Sequence, residues 1–264
     1  MWKTELNVAQ NAAREAGKVL NRLFGRVNQI KKKGVIDLVT EADLHAEKII
    51  LDIIGRTFPE DSIITEEGGE CNHLPNRRWI IDPLDGTTNF AHAFPMFAIS
   101  IALEVEKELV LGVVFNPYMD EFFEAVQGRG AFFNKKPIAV SRIRDMGDAL
   151  LATGFPYDIH ERPDDVIRLF HKMLVLSQGV RRPGSAAIDL CYVAAGRFDG
   201  FWEEGLKPWD TAAGYVIVKE AGGQVTTYEG LPYSLSHDTI VAANPSIHEA
   251  MLDAIKSGEP SGQL

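Results

Sequence analysis

The stretch Trp79-Ile80-Ile81-Asp82-Pro83-Leu84-Asp85-Gly86-Thr87-Thr88-Asn89-Phe90 decides how this 264-residue chain is read. Its opening apolar run reads as a strand running into Asp82. Pro83 holds Asp82 extended and fixes the start of a tight turn. Two carboxylates three positions apart, with the Leu84 carbonyl between them, can converge on a hard cation that prefers oxygen ligands. Gly86 lets the backbone approach a ligand closely. Thr87-Thr88-Asn89 then opens a short helical turn whose free N–H groups suit a phosphate. Asp-Gly is also ordinary turn chemistry, and taken alone Asp82 to Gly86 favours that plain reading.

Two further segments shift the balance. Thr65-Glu66-Glu67-Gly68 ends the strand before Trp79, so its carboxylates are expected at the same sheet edge; alone it would pass for a solvated acidic loop. Lys207-Pro208-Trp209-Asp210-Thr211-Ala212-Ala213-Gly214 opens a helix. There Asp210 is an N-cap, a ligand, or both, because a helix start presents its side chain at a layer edge.

Outward from these segments the chain alternates helices and strands. Leu6, Ala9, Ala13, Ala16, Leu20 and Leu23 recur at helical spacing over Thr4 to Phe24. A second helix starts after Thr40 and is closed by Pro59. Strands are expected at Ser62 to Thr65, and an antiparallel meander from Phe97 to Val140, broken at Asn116-Pro117 and Gly128-Arg129-Gly130. Beyond it come a strand at Ala149 to Thr153, a helix at Val166 to Leu176 and a helix over Ser185 to Ala195 capped by Ser185. A strand at Phe198 to Trp202, a helix from Trp209 to Ala221, strands at Gln224 to Thr227 and Thr239 to Ala243, and a helix from Pro245 to Ile255 complete the pattern. The expected fold is an α/β sandwich in αβαβα layers. An N-terminal antiparallel-sheet half spans 1–144 and a C-terminal mixed-sheet half spans 145–264, forming one compact unit.

Composition bounds the rest. Hydrophobic residues make up 45% and charged residues 24%, enough apolar material for a full core. The formal net charge of −10 argues against a broad nucleic-acid surface, which needs clustered positive charge. Cys71 and Cys191 are too far apart for a cysteine metal motif and suit a reducing compartment. No signal-like start and no membrane-length apolar stretch occur, so the expectation is cytoplasmic, with no membrane partner.

The Trp79 to Phe90 string and Pro208-Trp209-Asp210-Thr211-Ala212-Ala213-Gly214 resemble the two signatures of the inositol monophosphatase family, among the lithium-sensitive, magnesium-dependent phosphatases. Gly184-Ser185-Ala186-Ala187, Ala194 to Gly200 and Glu220 to Gly223 fall in the family's order, so the resemblance spans essentially the whole chain. It implies that Glu66, Asp82 and the Leu84 carbonyl hold a first Mg²⁺, and Asp82, Asp85 and Asp210 a second, with a third ion near Glu66. It implies that the Gly86 and Thr87 amides bind phosphate. Asp43, Thr87 and Glu66 would be catalytic, the first two orienting or deprotonating the attacking water. Asp85, Ala186, Glu203 and Asp210 would meet the substrate. No departure occurs at these positions. A homodimer is implied by the same resemblance.

Some residues keep two readings. Thr40-x-x-Asp43 is also a capping-box-like helix start. Arg181 and Arg182 read a second phosphate or play a structural part. Lys31 to Lys33 is a solvated loop or a lid. His45, His92, His160, His171, His237 and His248 are scattered without metal spacing, and Cys191 is expected in the core. The expected reaction is hydrolysis of myo-inositol monophosphate by in-line attack of water. The alternatives are fructose 1,6-bisphosphate, another sugar or nucleotide phosphate, or a regulatory binding protein retaining the fold.

Overall fold

The computed structural model describes residues 1–26, 30–32, 38–71, 74–161 and 163–257. Of the reading of Lys31 to Lys33 as a solvated loop or a lid, Lys31 and Lys32 fall instead in a short strand and Lys33 lies outside these residues, as do readings of the Thr40 and Cys71 side chains.

Helices α1 (Lys3–Leu23) and α2 (Glu41–Thr57) form the first layer, joined by the ribbon β1 (Ile30–Lys32) and β2 (Leu38–Thr40). Ala9, Ala12, Ala13, Ala16 and Leu20 are fully buried at helical spacing, so α1 lays a stripe of mostly small side chains on the sheet below. That sheet comprises β3 (Asp61–Thr65), β4 (Gly69–Cys71), β5 (Leu74–Asp85), β6 (Ala98–Val105), β7 (Glu108–Asn116), β8 (Glu121–Val126), β9 (Ala131–Phe133) and β10 (Lys136–Ile138). Its order is β10-β9-β8-β7-β6-β5-β3-β4, antiparallel throughout except for the parallel pair β3–β5. Between β5 and β6 lies the short helix α3 (Thr87–Ala91).

The second sheet is built from β11 (Leu150–Thr153), β12 (Gly179–Arg181), β13 (Gly200–Glu204), β14 (Gln224–Thr226) and β15 (Thr239–Ala243), in the order β12-β11-β13-β15-β14. Its first three strands run parallel, and β15 is antiparallel to both neighbours. Helices α4 (Pro163–Leu176) and α7 (Pro245–Lys256) pack on its outer side. Between the sheets lie α5 (Ala186–Ala194) and α6 (Pro208–Glu220). Every residue of α5 is buried, as required of a helix covered on both sides. Gly214 makes the α5–α6 approach feasible, because a Cβ there would stand 2.5 Å from Leu190 Cδ1.

Two local expectations change. The Gly179–Arg181 edge strand has no signal in the sequence pattern, since three residues are too few to show alternation. More consequential, Asp82 to Asp85 is no tight turn. The strand β5 continues through it, paired to β6, with Asp82 opposite Ser100 and Asp85 opposite Ala98. Three steps on one strand face two on the other, which is a β-bulge. Pro83, with no N–H to offer a ladder, is tolerated at such an irregularity.

Candidate active site

The bulge is what brings two carboxylates together. In regular pleating Asp82 and Asp85 would point to opposite faces of the sheet. With one extra residue between them, both reach a single cavity, where Asp210 joins them from the first turn of α6. One carboxylate oxygen from each of the three lies within 4.8 Å of the others. Glu66 arrives through the parallel pairing. Thr65 sits opposite Ile81, and the Glu66 N–H donates to the Ile81 carbonyl at 3.3 Å, setting Glu66 beside the start of the bulge. It lines the same cavity, of about 400 Å³.

Each carboxylate is held by the backbone. Asp82 Oδ1 accepts from the Leu84 N–H at 2.9 Å. Asp85 Oδ2 accepts from Ser185 Oγ at 2.5 Å and the Ala187 N–H at 2.8 Å, so the N-terminal end of α5 anchors it. Ser185 is the N-cap of α5, as its sequence suggests. Asp210 is not the cap of α6: Lys207 occupies that position, and Asp210 Oδ2 accepts from the Lys207 N–H at 2.7 Å. Pro208 at the first helical position displaces the start by three residues from where the Asp210 reading put it.

Clustering sets the electrostatics. Burial, then the charges of Glu66, Asp85 and Asp210, raise the Asp82 carboxyl well above its ordinary range. Burial likewise lifts Asp210 strongly, with Asp85 and Glu66 adding to it. Burial brings Asp85 to about 6 against the lowering effect of its Ser185 and Ala187 hydrogen bonds. Like charges this close repel unless protons or cations intervene. An all-oxygen set of this kind suits a hard divalent cation, so the residues fit a metal.

Asp43 does not line the cavity. It is fully buried on α2 and accepts from Thr87 Oγ1 at 3.0 Å, while the same hydroxyl lies 3.0 Å from the Leu84 carbonyl. One turn along α2, Glu47 Oε2 accepts from the Glu67 and Gly68 N–H groups at 3.2 Å each. One helix face thus touches both the Thr87 segment and the Glu66 turn. Gly86 adopts φ +90, and a Cβ there would come within 2.8 Å of the Met96 carbonyl oxygen, so glycine is required. Thr87 follows as the first residue of α3.

The other side of the cavity comes from the second sheet and α5. Glu203 on β13 is buried, its carboxylate packed against Gly154, and burial raises its pKa to about 8 while Arg182 opposes the shift. Ala186, at the start of α5, lines the same space. Arg182 lines it too and lays its guanidinium over the Phe155 ring at 5.5 Å. Arg181 is exposed and turns back to its own strand, donating to the Val180 carbonyl. Sequence reasoning missed Asp189, buried in the first turn of α5 and lining the cavity. Its sole signal was a charged residue inside an otherwise apolar helix.

The remaining candidates stay apart. Cys191 is buried and free. His45, His92, His160 and His171 are exposed, and His237 is half-buried. His248 is buried beside Thr226 Oγ1 at 2.9 Å, with burial lowering its pKa to about 4.

A five-layer α/β sandwich that gathers six acidic side chains, Glu66, Asp82, Asp85, Asp189, Glu203 and Asp210, from two sheets and the two helices between them defines an enzyme with an acidic small-molecule cavity. The sequence profile of the inositol monophosphatase family matches residues 1–259, and the chain belongs to that family. An inositol-1-monophosphatase of Synechocystis is 48% identical over 96% of this chain and 89% of its own length. A protein of Escherichia coli K12 called Nus factor SuhB is 42% identical over 94% of each chain. The crystal structure of extragenic suppressor protein suhB from Bartonella henselae superposes with a TM-score of 0.93 at 42% identity, covering 97% of this chain and all of that one.

Proposed function

We propose that this enzyme hydrolyses the phosphate monoester of an inositol, releasing inositol and inorganic phosphate. The observation that carries this reading is the convergence of Asp82, Asp85 and Asp210 within 4.8 Å, beside Glu66 and the Gly86–Thr87 turn. Glu66, Asp82, the Leu84 carbonyl, Asp85 and Asp210 would hold two or three Mg²⁺ ions. When bound, such cations offset phosphoryl charge and activate water, which matters because monoester hydrolysis is among the slowest uncatalysed reactions.

The chain's own groups do the rest. The Gly86 and Thr87 amides face the phosphate. Thr87 Oγ1 takes a proton from the attacking water as it passes its own to Asp43, an exchange supported by their 3.0 Å hydrogen bond. Ala186 and Glu203 meet the leaving alcohol. Residues 1–144 and 145–264 act as one unit, since Asp210 and Glu203 of the second part complete a cavity begun by the first. Inhibition by Li⁺, a homodimeric assembly and a cytoplasmic location belong to the same reading. Among the described residues no helix is long and apolar enough to cross a membrane.

A phosphate-release panel over myo-inositol 1-phosphate, fructose 1,6-bisphosphate and a nucleotide 3′-phosphate, with Mg²⁺ and with chelator, tests this. The inositol ester should lead, and only with metal. The name of the Escherichia coli relative favours a second reading, a binding role that does not need turnover. Negligible release from every ester, with Mg²⁺ still bound, would favour it.

A further inference from the structure

Asp189 has no part in the chemistry described so far, yet it sits in the cavity wall under conditions that are costly for a carboxyl group. It is 1% exposed, and its Oδ1 is buried with no hydrogen-bond partner among the described residues. An orphaned buried polar atom destabilises a fold and calls for a reason. The fold supplies no partner even though Asp189 belongs to a tightly fixed turn: its N–H donates to the Ser185 carbonyl at 3.0 Å, and Ser185 anchors Asp85. The backbone at Asp189 is therefore fixed, and the side-chain Oδ1 is left unsatisfied.

Its surroundings define what would satisfy it. Glu203 from β13 and Arg182 after β12 line the same part of the cavity wall, and both act electrostatically on Asp189. Burial, then Glu203 and Asp85, push its carboxyl well above the ordinary range, and its orphaned Oδ1 offers an acceptor in the cavity that the donor Arg182 also lines. A hydroxyl matches that pair of functions. A second phosphate does not, because it would meet two carboxyl groups for one guanidinium, and that guanidinium is exposed and laid over Phe155.

Resting on the phosphatase reading above, we propose that Asp189 is a specificity-determining residue that hydrogen-bonds a hydroxyl of the departing alcohol, so that the site selects an uncharged polyol monophosphate over a bisphosphate. The test compares myo-inositol 1-phosphate with phenyl phosphate, whose leaving group carries no further hydroxyl. Asp189→Leu should raise KM for the inositol ester about tenfold, the worth of one buried hydrogen bond, with phenyl phosphate unaffected. Asp189→Asn, which keeps an acceptor, should recover most of that loss. Equal losses on both substrates, or none on either, overturn the assignment. Should Asp189→Leu fail to fold, the unaltered enzyme still decides, because a lower KM for fructose 1,6-bisphosphate than for myo-inositol 1-phosphate also overturns it. A protein that hydrolyses no ester defeats the phosphatase reading instead. Calorimetric binding of myo-inositol 1-phosphate then judges Asp189, and equal affinity in the unaltered protein and Asp189→Leu rejects its role.

Discussion

The two ends of α5 treat buried carboxylates in opposite ways. At its N-terminal end Asp85, Asp82 and Asp210 crowd together with Glu66, and among the described residues no cationic side chain hydrogen-bonds any of the three aspartates. At its C-terminal end Glu121 is fully matched: Tyr192 Oη donates to Oε2 at 2.7 Å and Arg197 Nη1 to Oε1 at 2.6 Å. The Arg197 guanidinium also covers the Tyr192 ring at 4.5 Å and the Phe133 ring at 4.9 Å. The second arrangement is what a fold builds to hold itself together. The first opposes folding and makes sense only if something positive arrives from outside.

The strongest challenge to that contrast is Asp82→Asn. It should lower kcat by roughly 4 kcal/mol of barrier, on the order of a thousandfold, as befits a ligand shared between cations. The metal-free variant should melt higher than the unaltered protein, because a repelled buried charge is gone, and Mg²⁺ should raise its melting point less. A variant that melts lower without metal would contradict the idea that the cluster is strained. At the other end, Glu121→Ala should cost about 3 kcal/mol in denaturant unfolding, leaving Arg197 and Tyr192 unmatched. Turnover per folded molecule should hold, and a selective loss of activity would erase the distinction between the two ends.

Asp43→Asn separates the proton path from the metal wall. Its expected effect is a kcat about a hundredfold lower with the Mg²⁺ dependence unchanged. Weakened Mg²⁺ binding would instead place Asp43 in the wall. The smallest effect lies in pH. Asp85 rises from an ordinary 3.8 to about 6 in the folded protein, so the folded state holds its proton longer. The stability tied to that proton is complete below about pH 4 and lost as pH climbs through 6. Because Asp85 is half-buried, solvent screening leaves about 1 kcal/mol of this. The melting-point difference between Asp85→Asn and the unaltered protein, both without metal, should therefore shift in favour of the variant from pH 4 to pH 7. A difference independent of pH would remove Asp85 from the strained cluster.

Much of this was legible in the sequence because its signals are local. Helical spacing of alanines gave α1, alternation gave the meander, and two acidic strings marked the cavity. What stayed hidden depends on register and partners. The Asp82 to Asp85 segment reads as a turn because proline and Asp-Gly suit turns, and only the pairing to Ser100 and Ala98 reveals a strand. Asp210 reads as a cap because its type suits one, whereas Pro208 moves the cap to Lys207. Asp189 stands out only once the helix around it is known to be buried on all sides.

The bulge in β5 has a consequence for how such a site can change. It is a phase shift of one residue, written into the middle of a sheet. Side-chain replacements on either side leave that count untouched, so they can retune the cavity without moving the carboxylates. Inserting one residue into β6 between Ala98 and Ser100 would match three steps with three, remove the bulge and turn Asp85 to the face opposite Asp82, dismantling the site while the pairing from Arg77 to Asp82 stays in step. The geometry is stored as an integer, and an integer does not drift.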